Sequence, residues 1–256
     1  MRFLLFALFA CLGAILPLQT ASAQSLPPEV REAYQSYAGA LKDKGAKAAL
    51  PHAKDAWQHA EDLIGDSNAT GDLAYNYGYL ALRLGEYKNS IEPLTRSADL
   101  ALLVPGAGEV LKLEREVQVA GAILAAGNDK QAKERMEDAL EFAEANGLQE
   151  NIYTAELLVN LARYYSTRAN EAAKRKPRIF SQSSADIVKM RTRKIQSQSA
   201  DYAELALQIF SKYPDQQVAE SQYISLAHNL IGFAFLAEYS GETSLPYQRH
   251  IPHAIF

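Results

Sequence analysis

Apolar positions in this chain recur at three- and four-residue intervals, and small residues recur at a much longer one. The helical spacing, without strand-like alternation, predicts helices over residues 29–43, 48–64, 71–84, 88–103, 108–126, 129–146, 150–172, 197–212 and 216–239. Gly78, Ala120 and Ala162 stand 42 positions apart. Ala49, Ser90 and Ala132 form a second series, and Gly45, Gly85 and Gly127 close the helices that precede them. A period of this length denotes stacked supersecondary units, each too small to bury its own apolar face. The glycines sit where a helix end needs a residue tolerant of the left-handed conformation. Asn128 followed by Gln131 reads as a capping box. Pro51 and Pro93 fall close to expected helix starts, where a missing N–H costs little.

These units resemble the tetratricopeptide repeat family, whose pattern of about 34 residues places small residues where two helices cross. Leu73-Ala74-Tyr75-Asn76-Tyr77-Gly78 leads to Leu84-Gly85-Glu86-Tyr87, then to Ser90, Leu94 and Ser97. The next unit has Ala120, Ile123, Gly127, Ala132, Met136 and Ala139; the one before has Ala38, Leu41, Gly45, Ala49, Ala53 and Ala56. A fourth begins at Asn160-Leu161-Ala162-Arg163-Tyr164-Tyr165. The resemblance covers residues 29–170 and, more loosely, 197–239. Its longer period is similar to the extended repeats of the kinesin light chain type. No unit carries the family's Trp in its first helix, and the proline that often closes a unit is missing.

The resemblance implies an all-α fold, a right-handed superhelical solenoid of antiparallel helix pairs, whose first helices line a groove for a protein or peptide partner. On the matching helices that face comprises Asp72, Tyr75, Asn76, Tyr79 and Arg83, then Glu114, Gln118 and Gly121, then Glu156, Asn160 and Arg163. Asn76 and Asn160 occupy equivalent places, with Asn229 within one position of them. The family uses asparagine there to hold a peptide backbone; hydrogen bonding between helices of the stack is the other reading. The subtype that clamps a C-terminal carboxylate is excluded, because Tyr34, Glu114 and Gln118 stand near the places of its basic residues.

Charge adds a second feature. Residues 170–199 interrupt the fourth unit and carry Lys174, Arg175, Lys176, Arg178, Lys189, Arg191, Arg193 and Lys194 against Glu171 and Asp186 alone, in a chain of net charge −4. A solvated loop or helix extension accounts for such an insert. So does docking on an anionic polymer or membrane surface through 174–194. Nucleic acid is disfavoured, since only Phe180 interleaves with the charges. The last helix, 216–239, is apolar on more than one face, with Ile224, Leu226, Leu230, Ile231, Phe233, Phe235 and Leu236. That predicts cover by the tail 241–256, with self-association next and the basic insert as the third possibility.

The N-terminus reads as an address. Met1-Arg2 precedes an apolar run from Phe3 to Leu18, and Ala21-Ser22-Ala23 offers a cleavage pattern before Gln24. The run is shorter than the roughly 20 residues that span a bilayer. Residues 1–23 are therefore expected to be a signal peptide, and residues 24–240 a repeat domain in the periplasm or outside the cell. Lipidation at Cys11 is the alternative, disfavoured by bulky Phe9. Loss of the leader removes the only cysteine, so no disulfide or thiolate metal site is expected. In a eukaryotic source, Asn68-Ala69-Thr70 would be a glycosylation sequon.

Catalytic chemistry finds little support. The chain has no Gly-rich phosphate loop, no H-E-x-x-H and no G-x-S-x-G. His52 and His59, seven apart, would lie about 10 Å from each other along a helix, too far to share a metal. His250 and His253 flank a proline in the tail, and the single Trp57 reads as core. The expectation is a non-catalytic interaction scaffold without cofactor or metal.

Overall fold

The computed structural model describes residues 26–174, 182–216 and 221–240, with side chains from 187 onward in the second stretch and as far as 234 in the third. Every regular element among them is helical. In chain order these are α1 (Pro28–Lys44), α2 (Ala46–Leu63), α3 (Asn68–Arg83), α4 (Tyr87–Leu100), α5 (Gly108–Ala125), α6 (Asp129–Ala145), α7 (Ile152–Lys174), α8 (Gln182–Phe210) and α9 (Ser221–Ser240). Short 3-10 turns follow α4 (Ala101–Leu103) and α8 (Pro214–Gln216). The chain divides into two compact units, Met1–Ala126 and Gly127–Phe256. The expected signal peptide, Cys11, the tail with His250 and His253, and Arg175, Lys176 and Arg178 lie outside the described residues.

In the first unit, α1 packs on α2, α2 on α3, α3 on α4 and α4 on α5, so successive helix pairs stack. Alanines let them approach: Ala49, Ala53, Ala56 and Ala60 form a buried stripe along α2, facing Val30, Tyr37, Leu73, Ala74, Tyr77 and Leu80. The crossing of α3 and α4 is closest at Gly78, where a Cβ would stand 2.7 Å from Leu94 Cγ. Only a residue without a side chain fits there, which explains the glycine of the small-residue series. Gly45, Gly85 and Gly127 adopt φ of 83°, 80° and 81°, the left-handed region their places demand. A second series at Gly65, Gly106 and Gly147, also at positive φ, marks the other turn of each unit.

The second unit packs α6 on α7, α7 on α8, and α9 against both α7 and α8. Its core joins Ile152, Leu158, Val159 and Ala162 to Ala203, Ala206, Ile209, Phe210, Leu226 and Leu230. Ser199 Oγ donates to the Ala162 carbonyl at 2.7 Å, tying α8 to α7. On α9, Leu226 and Leu230 are buried, Ile224, Ile231 and Phe233 are half-buried, and Asn229 is exposed. The side chains of Phe235 and Leu236 lie outside those described.

Four local expectations are corrected. Pro51 and Pro93 sit in the second turns of α2 and α4 rather than near their starts. Each interrupts the helical ladder at one carbonyl without ending its helix. Asn128 does not cap α6: its Nδ2 donates to Gln131 Oε1 at 2.7 Å, and the two side chains satisfy each other instead of the backbone. Helix α8 starts at Gln182 rather than 197, so 182–199 continues the helix of the fourth unit. Helix α3 begins three residues earlier than expected. Ser67 Oγ accepts from Thr70 N at 3.1 Å, and Thr70 Oγ1 donates to the Gly65 carbonyl at 2.7 Å. The hydroxyl of the Asn68-Ala69-Thr70 sequon is therefore buried in a helix cap.

Candidate functional site

The expected groove face on α3 is built around a cation that the pattern of the sequence did not single out. Arg115, on α5, is 1 % exposed. Its Nη2 donates to Asp72 Oδ1 at 2.6 Å and its Nη1 to the Ser97 carbonyl at 3.1 Å. Its guanidinium carbon stands 5.3 Å from the Tyr75 ring centroid. Gly71 makes room for it, since a Cβ there would lie 3.2 Å from Arg115 Nη1. Tyr75 in turn stacks on Tyr79, with centroids 5.5 Å apart and planes 12° from parallel. A buried charge thus fixes one tyrosine, and that tyrosine fixes the next.

Beside this stack, Asn76 is 3 % exposed, and neither its Oδ1 nor its Nδ2 has a hydrogen-bond partner in the protein. A buried carboxamide without partners costs roughly 1–3 kcal/mol. The helix-to-helix hydrogen bond considered for Asn76 is not made. Of the remaining face residues of this unit, Tyr75 is buried, Tyr79, Asp72, Glu114 and Gln118 are half-buried, Gly121 is buried and Arg83 is exposed.

Glu156, Asn160 and Arg163 belong to the second unit and form a separate set on α7, the first two buried and the third half-buried. Burial pulls the Arg163 pKa below the usual arginine range, and Tyr223 partly opposes this. Of the basic insert, Lys174 ends α7, while Lys189, Arg191, Arg193 and Lys194 are exposed on α8.

A second polar cluster joins α2 to α4. Glu61 accepts from Arg96 Nε at 2.8 Å, from Arg96 Nη2 at 3.0 Å and from Trp57 Nε1 at 3.0 Å. Arg96 also reaches Asp66 at 2.5 Å. These donors, Arg96 first, hold the Glu61 carboxyl below its ordinary range. Trp57 stacks on Tyr77 at 5.6 Å and borders an open cleft of about 640 Å³ between Asp55, Glu61, Asp62, Glu92 and Arg96. Arg96 ties α4 to Glu61 on α2 and to Asp66 in the loop after it, while the Trp57–Glu61 bond lies within α2.

No protein-family model matches the chain, and no curated protein matches it in sequence. The reading of function therefore rests on the sites themselves. Among the described residues no group of His, Cys, Asp and Glu could hold a metal ion, and no helix is long and apolar enough to cross a membrane.

Arg115 had one signal in the sequence. It lies 43 residues after Asp72, one repeat period plus one, so opposite charges meet on the first helices of successive units.

Proposed function

We propose that this protein is a non-catalytic interaction scaffold of the tetratricopeptide type, exported after loss of residues 1–23, whose α3/α5 face holds an extended segment of a partner protein. The observation that carries this reading is Asn76, with a buried carboxamide and no partner for either polar atom. A carboxamide offers one acceptor and two donors, the complement of a peptide group. Both polar atoms are closed to solvent, so an extended backbone laid along α3 would satisfy them only once the side chains covering Asn76 move aside. Tyr79 adds apolar area with a polar tip at low entropic cost, and Arg83 adds a forked donor at the end of the face. The rest of the chain outside residues 170–199 is net acidic, which favours a neutral or basic segment. Gln118 extends the same face on α5, and Asn160 with Arg163 offers a comparable pair on α7.

Selection of ligands from a peptide display library tests the reading. Selected peptides should lose binding by about 1–3 kcal/mol on Tyr79→Ala and on Arg83→Ala, with helicity unchanged. Peptides that bind both variants as well as the native chain would move the site elsewhere.

A further inference from the structure

The N-terminal half of α8 is amphipathic in the inverted sense. Its most deeply buried positions are polar, Thr192 at 0 %, Ser199 at 2 % and Gln196 at 7 % exposure, with apolar Val188 and Ile195 half-buried beside them. Two of these are satisfied by backbone, Thr192 through the Val188 carbonyl at 2.9 Å and Ser199 through Ala162. Its outward positions include two large apolar side chains, Ile187 at 62 % and Met190 at 71 % exposure. At 3.6 residues per turn, Ile187, Met190, Arg191 and Lys194 share one face, spaced i, i+3, i+4 and i+7. Arg193 lies beside it, Lys189 about 150° around the helix from its middle, and all four cations are exposed. Further along the helix Asp201 and Glu204 appear, so the cationic apolar patch is confined to this end.

We infer that this face docks on the surface of an anionic phospholipid bilayer, lying on it rather than spanning it. Cations spaced around exposed apolar side chains are the signature of interfacial helices. The apolar groups enter the boundary between headgroups and acyl chains, while lysine and arginine meet the phosphates. Charge complementarity selects an anionic surface, and the two apolar side chains select lipid over a soluble polyanion, which offers nothing for them to enter. Long basic side chains can keep their charged ends at phosphate level while their stems cover Ile187 and Met190. The patch lies on the second unit and is independent of the α3/α5 face, so either site can fail without the other.

Flotation of the full chain with vesicles tests this, with a version beginning at Gln24 beside it so that the apolar leader cannot account for binding. The vesicles are phosphatidylcholine alone or phosphatidylcholine mixed with phosphatidylglycerol. Both versions should float with the mixed vesicles only. The pair Ile187→Ser and Met190→Ser should weaken this roughly tenfold at constant salt. The pair Arg191→Glu and Lys194→Glu should abolish it. Exposed positions leave the melting curve unchanged, which separates lost binding from lost fold. Three results would overturn the inference: no flotation of the Gln24 version; flotation that ignores the serine pair and is matched by binding to soluble polyphosphate; or a serine pair that acts only by dissociating a dimer in light scattering.

Discussion

At the scale of single residues, the decisive atoms are those that have too little room or no partner. Gly78→Ala would drive a Cβ to 2.7 Å from Leu94 Cγ and 3.0 Å from Leu94 N, so it should destabilise the first unit by about 1–3 kcal/mol in a denaturant titration. Gly39, exposed in the middle of α1 with nothing within 4 Å of a built Cβ, is the control of opposite sign. Gly39→Ala should stabilise by roughly 0.5–1 kcal/mol. Asn76→Leu replaces an unpartnered buried carboxamide by an apolar group of similar shape. It should raise the unfolding free energy by about 1–3 kcal/mol while removing peptide binding. A fall in stability would mean that Asn76 serves the fold. Gly78 was legible in the sequence as the first member of the 42-residue series of small residues. The burial of Arg115 was not: a cation beside Glu114 and near Gln118 has the pattern of a solvated helix face. Only the tertiary placement of Asp72, the Ser97 carbonyl and the gap at Gly71 makes a buried guanidinium tolerable.

At the scale of elements, the junction of α2 and α4 can be read optically, because Trp57 is the only tryptophan and donates to Glu61. The folded pKa of Glu61 is depressed, so its contribution to stability is present above the ordinary carboxylate pKa of about 4.3 and is lost as pH falls through the lower folded value. Trp57 emission should therefore hold steady from neutral pH to about 4.3 and change below it. The step should vanish in Glu61→Gln and move up toward the ordinary value in Arg96→Ala. A step at the ordinary carboxylate pKa in the native chain would contradict the ion pair. Helices α1 to α7 lie close to where apolar spacing and glycine put them. The start of α8 does not, because a run of Lys and Arg carries no apolar periodicity on its buried side. There the fully buried positions are Thr192, Gln196 and Ser199, which sequence patterns assign to a surface. Pro51 and Pro93 misled for a related reason: proline is read as a helix start, whereas packing of the surrounding helix carries it through a lost hydrogen bond.

At the scale of the whole molecule, the repeat pattern translates into stacked helix pairs within each of two compact units, and the proposed role follows from one face of the first. Export is a separate proposal, resting on the sequence of residues 1–23. Intact-mass measurement of the protein from its native source should give a chain beginning at Gln24, and a chain retaining Met1 would contradict the proposed location. The central claim is that the α3/α5 face holds a peptide through Asn76. It is tested most directly by calorimetric titration of a library-selected peptide into the native chain and into Asn76→Leu. Measurable binding to the native chain is expected, with at least about a tenfold loss in a variant as stable as the native chain or more so. Equal affinity for both proteins would contradict it.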